Sequence, residues 1–147
     1  MKTFKHILVP IDFEKASAGA LDVATSLARA CGAKLMLLHV WEIPIYSYMD
    51  FMLNSDVITR VEDAAVKHLA DALENARTLL PDVESKLKTG LPWQGILDAI
   101  QELKPDLVVM GTHGRQGIGR AILGSVAEKL VRLSPVPVLT VHAPHPT

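Results

Sequence analysis

The sequence predicts an α/β fold, an open doubly wound sheet of five parallel strands with helices on both faces. Two observations carry that expectation. Five short runs rich in apolar and β-branched residues alternate with longer stretches of helical period, the pattern of parallel strands joined by right-handed crossovers. The first run, "HILVPI", is apolar without alternation, as in a strand buried on both faces.

The elements follow in order. Residues 6–11 form the first strand. Residues 17–31 then place Leu21, Ala24, Leu27, Ala28 and Cys31 on one helical face, and Gly32 stands where a helix C-terminal glycine belongs. The second strand is "KLMLLHVW", Lys34–Trp41. Residues 55–80 give the longest periodic pattern, with Ile58, Val61, Ala65, Leu69, Leu73, Ala76 and Leu80 three or four apart, and Pro81 stops it. Residues 83–88 alternate, as a strand near a sheet edge does. Pro92–Leu103 opens on a first-turn proline and carries Ile96, Leu97, Ile100 and Leu103 inward. Residues 106–110 are the fourth strand, 126–133 the fourth helix and 136–141 the fifth strand. Pro137 cannot donate to a ladder, which assigns the last strand to an edge or an interface. No repeat, low-complexity tract or linker divides the chain, so one domain over residues 1–147 is expected.

Composition excludes several classes of function. Fifteen basic and sixteen acidic side chains leave a formal charge of −1, no electrostatic footprint for nucleic acid or an anionic membrane. No stretch approaches the ~20 apolar residues of a membrane span, and the apolar run near the N-terminus is too short for a signal peptide. Cys31 is the single cysteine. It can form no intrachain disulfide, and its helical spacing directs it to the core as a small hydrophobe. A soluble cytoplasmic protein is expected.

The stretch "GTHGRQGIGRAILGS", residues 111–125, holds five of the chain's nine glycines. It lies between the fourth strand and the fourth helix, where doubly wound sheets hold ligands. Glycines let a ligand approach backbone N–H groups closely, and Ser125, Val126 and Ala127 offer free N–H groups at a helix start. Together these suit a phosphate. The general phosphate motifs, G-x-x-x-x-G-K-[ST] and a strand-borne G-x-G-x-x-G, are absent. Ser125 and Glu128 also have the spacing of a capping box, which would stabilise the helix with no ligand.

With these residues in view the chain resembles the universal stress protein family, nearly end to end. "ILVPID", "GAKLMLLHV", "DLVVMGTHGR" and "GSVAEKLVRLSPVPVLTV" carry the likeness. In the nucleotide-binding branch of that family a glycine is followed by two residues, glycine, nine residues, glycine and a hydroxyl residue. Gly111, Gly114, Gly124 and Ser125 keep this spacing. The resemblance implies an adenine-nucleotide alpha-hydrolase-like sheet of order 3-2-1-4-5, with ATP and Mg²⁺ at the ends of strands one and four. It implies that Pro10 and Asp12 follow strand one, Asp12 near the ribose or a phosphate-bound metal, and that Val40 meets adenine through its backbone. Met110, Gly111, His113 and Gly114 would line the ribose and phosphates, and Gly124, Ser125 and Val126 would close on the phosphates. A homodimer is implied too, and the edge strand from Val136 to Val141 could pair with its twin across a two-fold axis. One departure is Ala127, where ATP-binding relatives often carry a hydroxyl. Losing one side-chain hydrogen bond costs about 0.5–1.5 kcal/mol, and the backbone donors remain.

Other residues have competing readings. Asp12 could cap its own turn, as aspartates after strands often do. His113 reads as a binding or solvated residue rather than a catalytic one. Arg115 and Arg120 could reach phosphates or serve solubility alone. His142 and His145 have metal-like spacing in a tail, and His6, His39 and His68 read as scattered structural residues. Residues 43–53 suit packing over the core, a cover for adenine or a partner contact.

Two functions follow. One is an ATP-binding stress-response regulator with slow or no hydrolysis, since the chain lacks a P-loop lysine. The other is a dimerisation scaffold that makes no use of nucleotide, against which the intact glycine spacing argues. Nucleotide transferases of similar architecture carry paired histidines after strand one, where this chain has "PIDFEK".

Overall fold

The computed structural model describes residues 3–43, 55–112 and 123–143. Its strands are β1 (His6–Pro10), β2 (Lys34–Trp41), β3 (Glu84–Thr89), β4 (Leu107–Gly111) and β5 (Val138–Val141). Its helices are α1 (Lys15–Cys31), α2 (Ser55–Arg77), α3 (Pro92–Leu103) and α4 (Ser125–Leu133). The strands form one sheet in the order β3-β2-β1-β4-β5, and every pairing is parallel.

Two apolar layers hold the helices to the sheet. Ile7, Val9, Leu35, Leu37, Leu107 and Val109 point to one face, beneath Ala20, Ala24 and Ala28 of α1 and Leu69 and Ala76 of α2. Leu8, Leu38, Val40, Val108 and Met110 point to the other, beneath Ile96, Ala99 and Ile100 of α3 and Ala127 and Leu130 of α4. The central strands are therefore apolar on both sides, which is why β1 does not alternate. At the amino end of β1, the Asp106 carboxylate accepts the N–H groups of Lys5 and His6 at 2.8 and 3.1 Å. Asp106 thus ties β1 to the start of β4 and precedes that strand instead of opening it.

Both edges are as the sequence implies. On β3, Lys86 and Lys88 each reach the Glu102 carboxylate at 2.7 Å and hold it down to about 2. Charged side chains of this kind protect an edge from stray pairing. Pro137 stands one residue before β5, and its carbonyl still accepts the N–H of Val108 at 3.0 Å.

Several expectations need correction. Helix α1 starts at Lys15, two residues early, and α2 ends at Arg77, after which Thr78–Leu80 close in turns. Strand β3 begins after Val83, which is buried in the core as a loop residue. Val61 faces solvent at 41% exposure, because only Ala65, Leu69 and Ala76 of the α2 stripe are fully buried. Cys31 is half-exposed at the end of α1 instead of buried. The buried face of α1 is built from Ala16, Ser17, Ala20, Ala24, Thr25 and Ala28, and Gly32 ends the helix at φ 67°.

That face of small residues lets α1 lie close to β4. A Cβ placed on Gly111 would stand 2.7 Å from the Ala16 carbonyl carbon and 2.8 Å from its Cβ. Gly111 has no positive φ, so what it supplies is space. Replacing Gly111→Ala should therefore lower stability by about 1–3 kcal/mol through overpacking, measured by urea unfolding. An unchanged midpoint would show that α1 can shift away at no cost.

Candidate functional site

A cavity of about 370 Å³ opens at the carboxyl ends of β1 and β4. It lies where the strand order reverses, with β2 on one side of β1 and β4 on the other. Its size falls within the range of small-molecule sites.

One part of the wall is apolar. Leu38 and Val40 come from β2, Met110 from β4, Pro92 and Ile96 from α3, and Val126 and Ala127 from α4. Val40 is pinned from behind, since a Cβ on Gly95 of α3 would approach its methyl groups to 2.8 and 2.9 Å. Ala127 is 1% exposed and packs among apolar side chains. The other part is polar: Asp12 follows β1, Ser17 stands on α1, Gly111 ends β4 with Thr112 after it, and Gly124 caps α4 at Ser125.

The start of α4 faces this polar part. Gly124 is the N-cap, with φ −60° and ψ 156° and no side-chain cap hydrogen bond. The expected capping box is absent, because Ser125 is the first helical residue and cannot reach back as a cap. Gly124 spends its own N–H on the Thr112 carbonyl at 2.7 Å, and Glu128 N–H returns to the Gly124 carbonyl. The N–H groups of Ser125, Val126 and Ala127 lie in the first turn, where helix amides lack intrahelical acceptors. The helix dipole adds partial positive charge there.

Opposite α4, the β1–α1 turn is bonded to itself. The Asp12 N–H donates to Ser17 Oγ at 2.9 Å, and Asp12 Oδ1 accepts the Glu14 N–H at 3.0 Å. The capping use of Asp12 is thus present, and Oδ2 has no described partner. Between them Phe13 takes φ 67°, a conformation that costs a side-chain-bearing residue about 1–2 kcal/mol. Its ring packs against those of both His39 and His68. These two histidines, far apart in sequence, belong to one cluster. His39 Nδ1 is 2.7 Å from the Ile11 carbonyl oxygen; an oxygen that only accepts fixes the proton on Nδ1. Burial holds the His39 imidazole below the usual histidine range, with the Ile11 bond and Asp12 acting the other way and His68 adding to burial.

The structure brings together Pro10, Asp12, Val40, Met110, Gly111, Gly124, Ser125 and Val126 around one cavity. His113 and Gly114 lie outside the described residues, as do Arg115, Arg120, His145 and residues 44–53 of the irregular stretch. Ile11, Ser17, Leu38, Pro92, Ile96 and Thr112 line the cavity without having been singled out from the sequence. Ser17 shares its helix face with a second hydroxyl residue, Thr25, among alanines, so nothing in the sequence sets it apart. Thr112 is buried, with Oγ1 3.4 Å from His142 Nδ1. Among the described residues no three His, Cys, Asp or Glu side chains converge as a metal site, and no helix is long and apolar enough to cross a membrane.

Comparison with known proteins agrees with this architecture. Residues 3–142 match the family model described as "Universal stress protein family". The "Universal stress protein in QAH/OAS sulfhydrylase 3'region" of Thermus aquaticus is 36% identical over 138 residues, covering 94% of this chain and 98% of that protein. Among solved structures, universal stress protein UspA from Lactobacillus plantarum superposes with a TM-score of 0.81 at 25% identity, over 96% of this chain and 99% of that one. A universal stress protein solved in complex with cAMP gives a TM-score of 0.74 at 25% identity, over 97% and 100% of the two chains. By sequence match over nearly its whole length, and by a shared fold, the chain belongs to the universal stress protein family.

Proposed function

We propose that the cavity binds an adenine nucleotide, ATP with Mg²⁺ in the first instance, and that the protein acts as a nucleotide-dependent regulator in the stress response. The observation that carries this reading is the two-part wall. Leu38, Val40, Pro92, Ile96 and Met110 suit the faces of a heterocyclic base, and the α4 amides with Ser125 suit phosphates. The relative bound to cAMP supports the same ligand class. In this reading Val40 meets the base, Asp12 stands by the ribose, and Gly111, His113 and Gly114 run along the phosphates. The Asp12 oxygen without a described partner fits a magnesium ion held mainly by phosphate and water, as that ion usually is.

Hydrolysis is slow or absent in this proposal. Among the described residues the lining holds one carboxylate and no lysine or arginine, short of the positioned base and cationic clamp of an efficient phosphoryl-transfer site. Binding energy is then available to shift the protein between conformations. The protein is proposed to act in the cytoplasm as a homodimer through β5. In support, β5 is a sheet edge whose Leu139 is 39% exposed, and Val131 and Leu133 of α4 are exposed as well. A scaffold without nucleotide remains the second reading, supported by that same edge.

Calorimetric titration with ATP and Mg²⁺ should show micromolar binding, about −8 kcal/mol, that Gly114→Val removes. No binding by either folded protein would favour the scaffold. Ser17→Ala, which takes the acceptor from the Asp12 N–H, should weaken binding by about 0.5–1.5 kcal/mol; unchanged affinity would show that the turn holds without it. In sedimentation, Leu139→Glu should shift a dimer towards monomer, and a wild-type monomer would remove β5 as an interface.

A further inference from the structure

The β1–α1 turn carries an aromatic contact that the cavity itself does not use. The Phe13 ring centroid lies 4.5 Å from that of His39 on β2 and 5.2 Å from that of His68 on α2, tilted by 53° and 59°. Both are within the range of favourable ring pairs. Phe13 is partly exposed, so burial in the core does not hold the ring. Both imidazoles are in contact with it. The backbone beneath the ring is left-handed, and a bulky residue keeps such a conformation only where its surroundings impose it. On either side of Phe13 are the atoms that shape the turn, the Asp12 amide on Ser17 and the Glu14 amide on Asp12.

We propose that Phe13, packed against His39 and His68, is a positioning residue that keeps the Asp12 turn in its nucleotide-binding shape, and that protonation of His39 loosens this packing. This inference rests on the nucleotide reading of the cavity. If the ring leaves the imidazoles, the left-handed φ of Phe13 is opposed by its own strain and held by the two flanking amide bonds, and relaxation to negative φ breaks the geometry of both together. Asp12 and Ile11 both line the cavity, so the wall moves with the turn.

His39 links this packing to pH. Its Nδ1–H is committed to Ile11, so an added proton goes to Nε2 and places a charge in a half-buried site. From the turn, Asp12 favours that charge; from α2, His68 opposes it; on β3 the register partner Leu87 is apolar. Burial outweighs the favourable partners, so the native turn belongs to neutral His39. For a histidine whose folded pKa is lowered, stability is complete above the unfolded value and is lost as pH falls below it, towards the folded value. Acidification through the imidazole range therefore destabilises the folded arrangement of His39 against Ile11 and Phe13.

The test compares wild type, Phe13→Ala and His39→Gln. Alanine keeps the Cβ that makes positive φ unfavourable and removes the ring, so the turn keeps its strain without its ring contacts; glutamine keeps an N–H donor, removes one ring contact and does not titrate. ATP binding with Mg²⁺ is measured by calorimetry at about pH 7.5 and about pH 5.5. Phe13→Ala should bind about fivefold or more weakly at the higher pH. His39→Gln should also bind more weakly there, and should lose less of its own affinity on acidification than the wild type does. The titration of ATP itself is common to all three proteins and cancels in the ratios. Hydrogen exchange of the Asp12 and Glu14 amides, without nucleotide, provides the second readout. After correction for intrinsic rates, exchange should be faster in Phe13→Ala, and faster in wild type at the lower pH. Equal protection in wild type and Phe13→Ala overturns the positioning role, even if no protein binds ATP and the nucleotide reading has failed separately. Equal acid losses in wild type and His39→Gln overturn the role of His39.

Discussion

The contact between Ala16 and Gly111 sets the distance between α1 and β4, and the candidate site depends on that distance. β1 and β4 are the strands at which the order reverses, and the cavity opens at their carboxyl ends. With α1 seated directly on the Gly111 backbone, its third residue, Ser17, reaches the cavity and accepts the Asp12 amide. With Thr112 next in line, its carbonyl takes the Gly124 N–H and fixes the N-cap of α4. One missing side chain thus brings the two polar walls of the cavity, the Asp12 turn and the α4 N-terminus, to a common place.

Much of this was legible in the sequence because strand burial and helix period leave strong marks. The apolar β1 run, the Pro92 helix start and the Pro137 edge mark all lead to features present in the fold. The strand order itself came from family resemblance, since alternation of strands and helices does not say which side of β1 each later strand takes. The polar wall was legible where glycine and helix start coincide, at Gly124 and Ser125. In the sequence Gly111 suggests close ligand approach, and its packing against Ala16 is invisible without tertiary contacts.

Other features were illegible for stated physical reasons. Ser17 looks like an ordinary helix residue until the turn folds back on it. His39 and His68 are 29 positions apart in sequence, and only the packing of α2 against β2 brings them to Phe13. The Ser125–Glu128 spacing suggested a capping box, yet the backbone places Gly124 at the cap and leaves the first-turn amides without a side-chain partner. A cap would have spent a donor that the nucleotide reading requires. The apolar wall was missed in part because Leu38 and Ile96 serve the core and the cavity at once.

The most direct test of nucleotide binding at this cavity is backbone amide chemical-shift mapping of the protein titrated with ATP and Mg²⁺. Binding at the proposed site predicts saturating shifts at Asp12, Val40 and Gly111 and across Ser125, Val126 and Ala127, with the amino ends of the strands unaffected. Shifts confined to the opposite end of the sheet, around His6, Lys34 and Glu84, or no shifts in a folded protein, would contradict it.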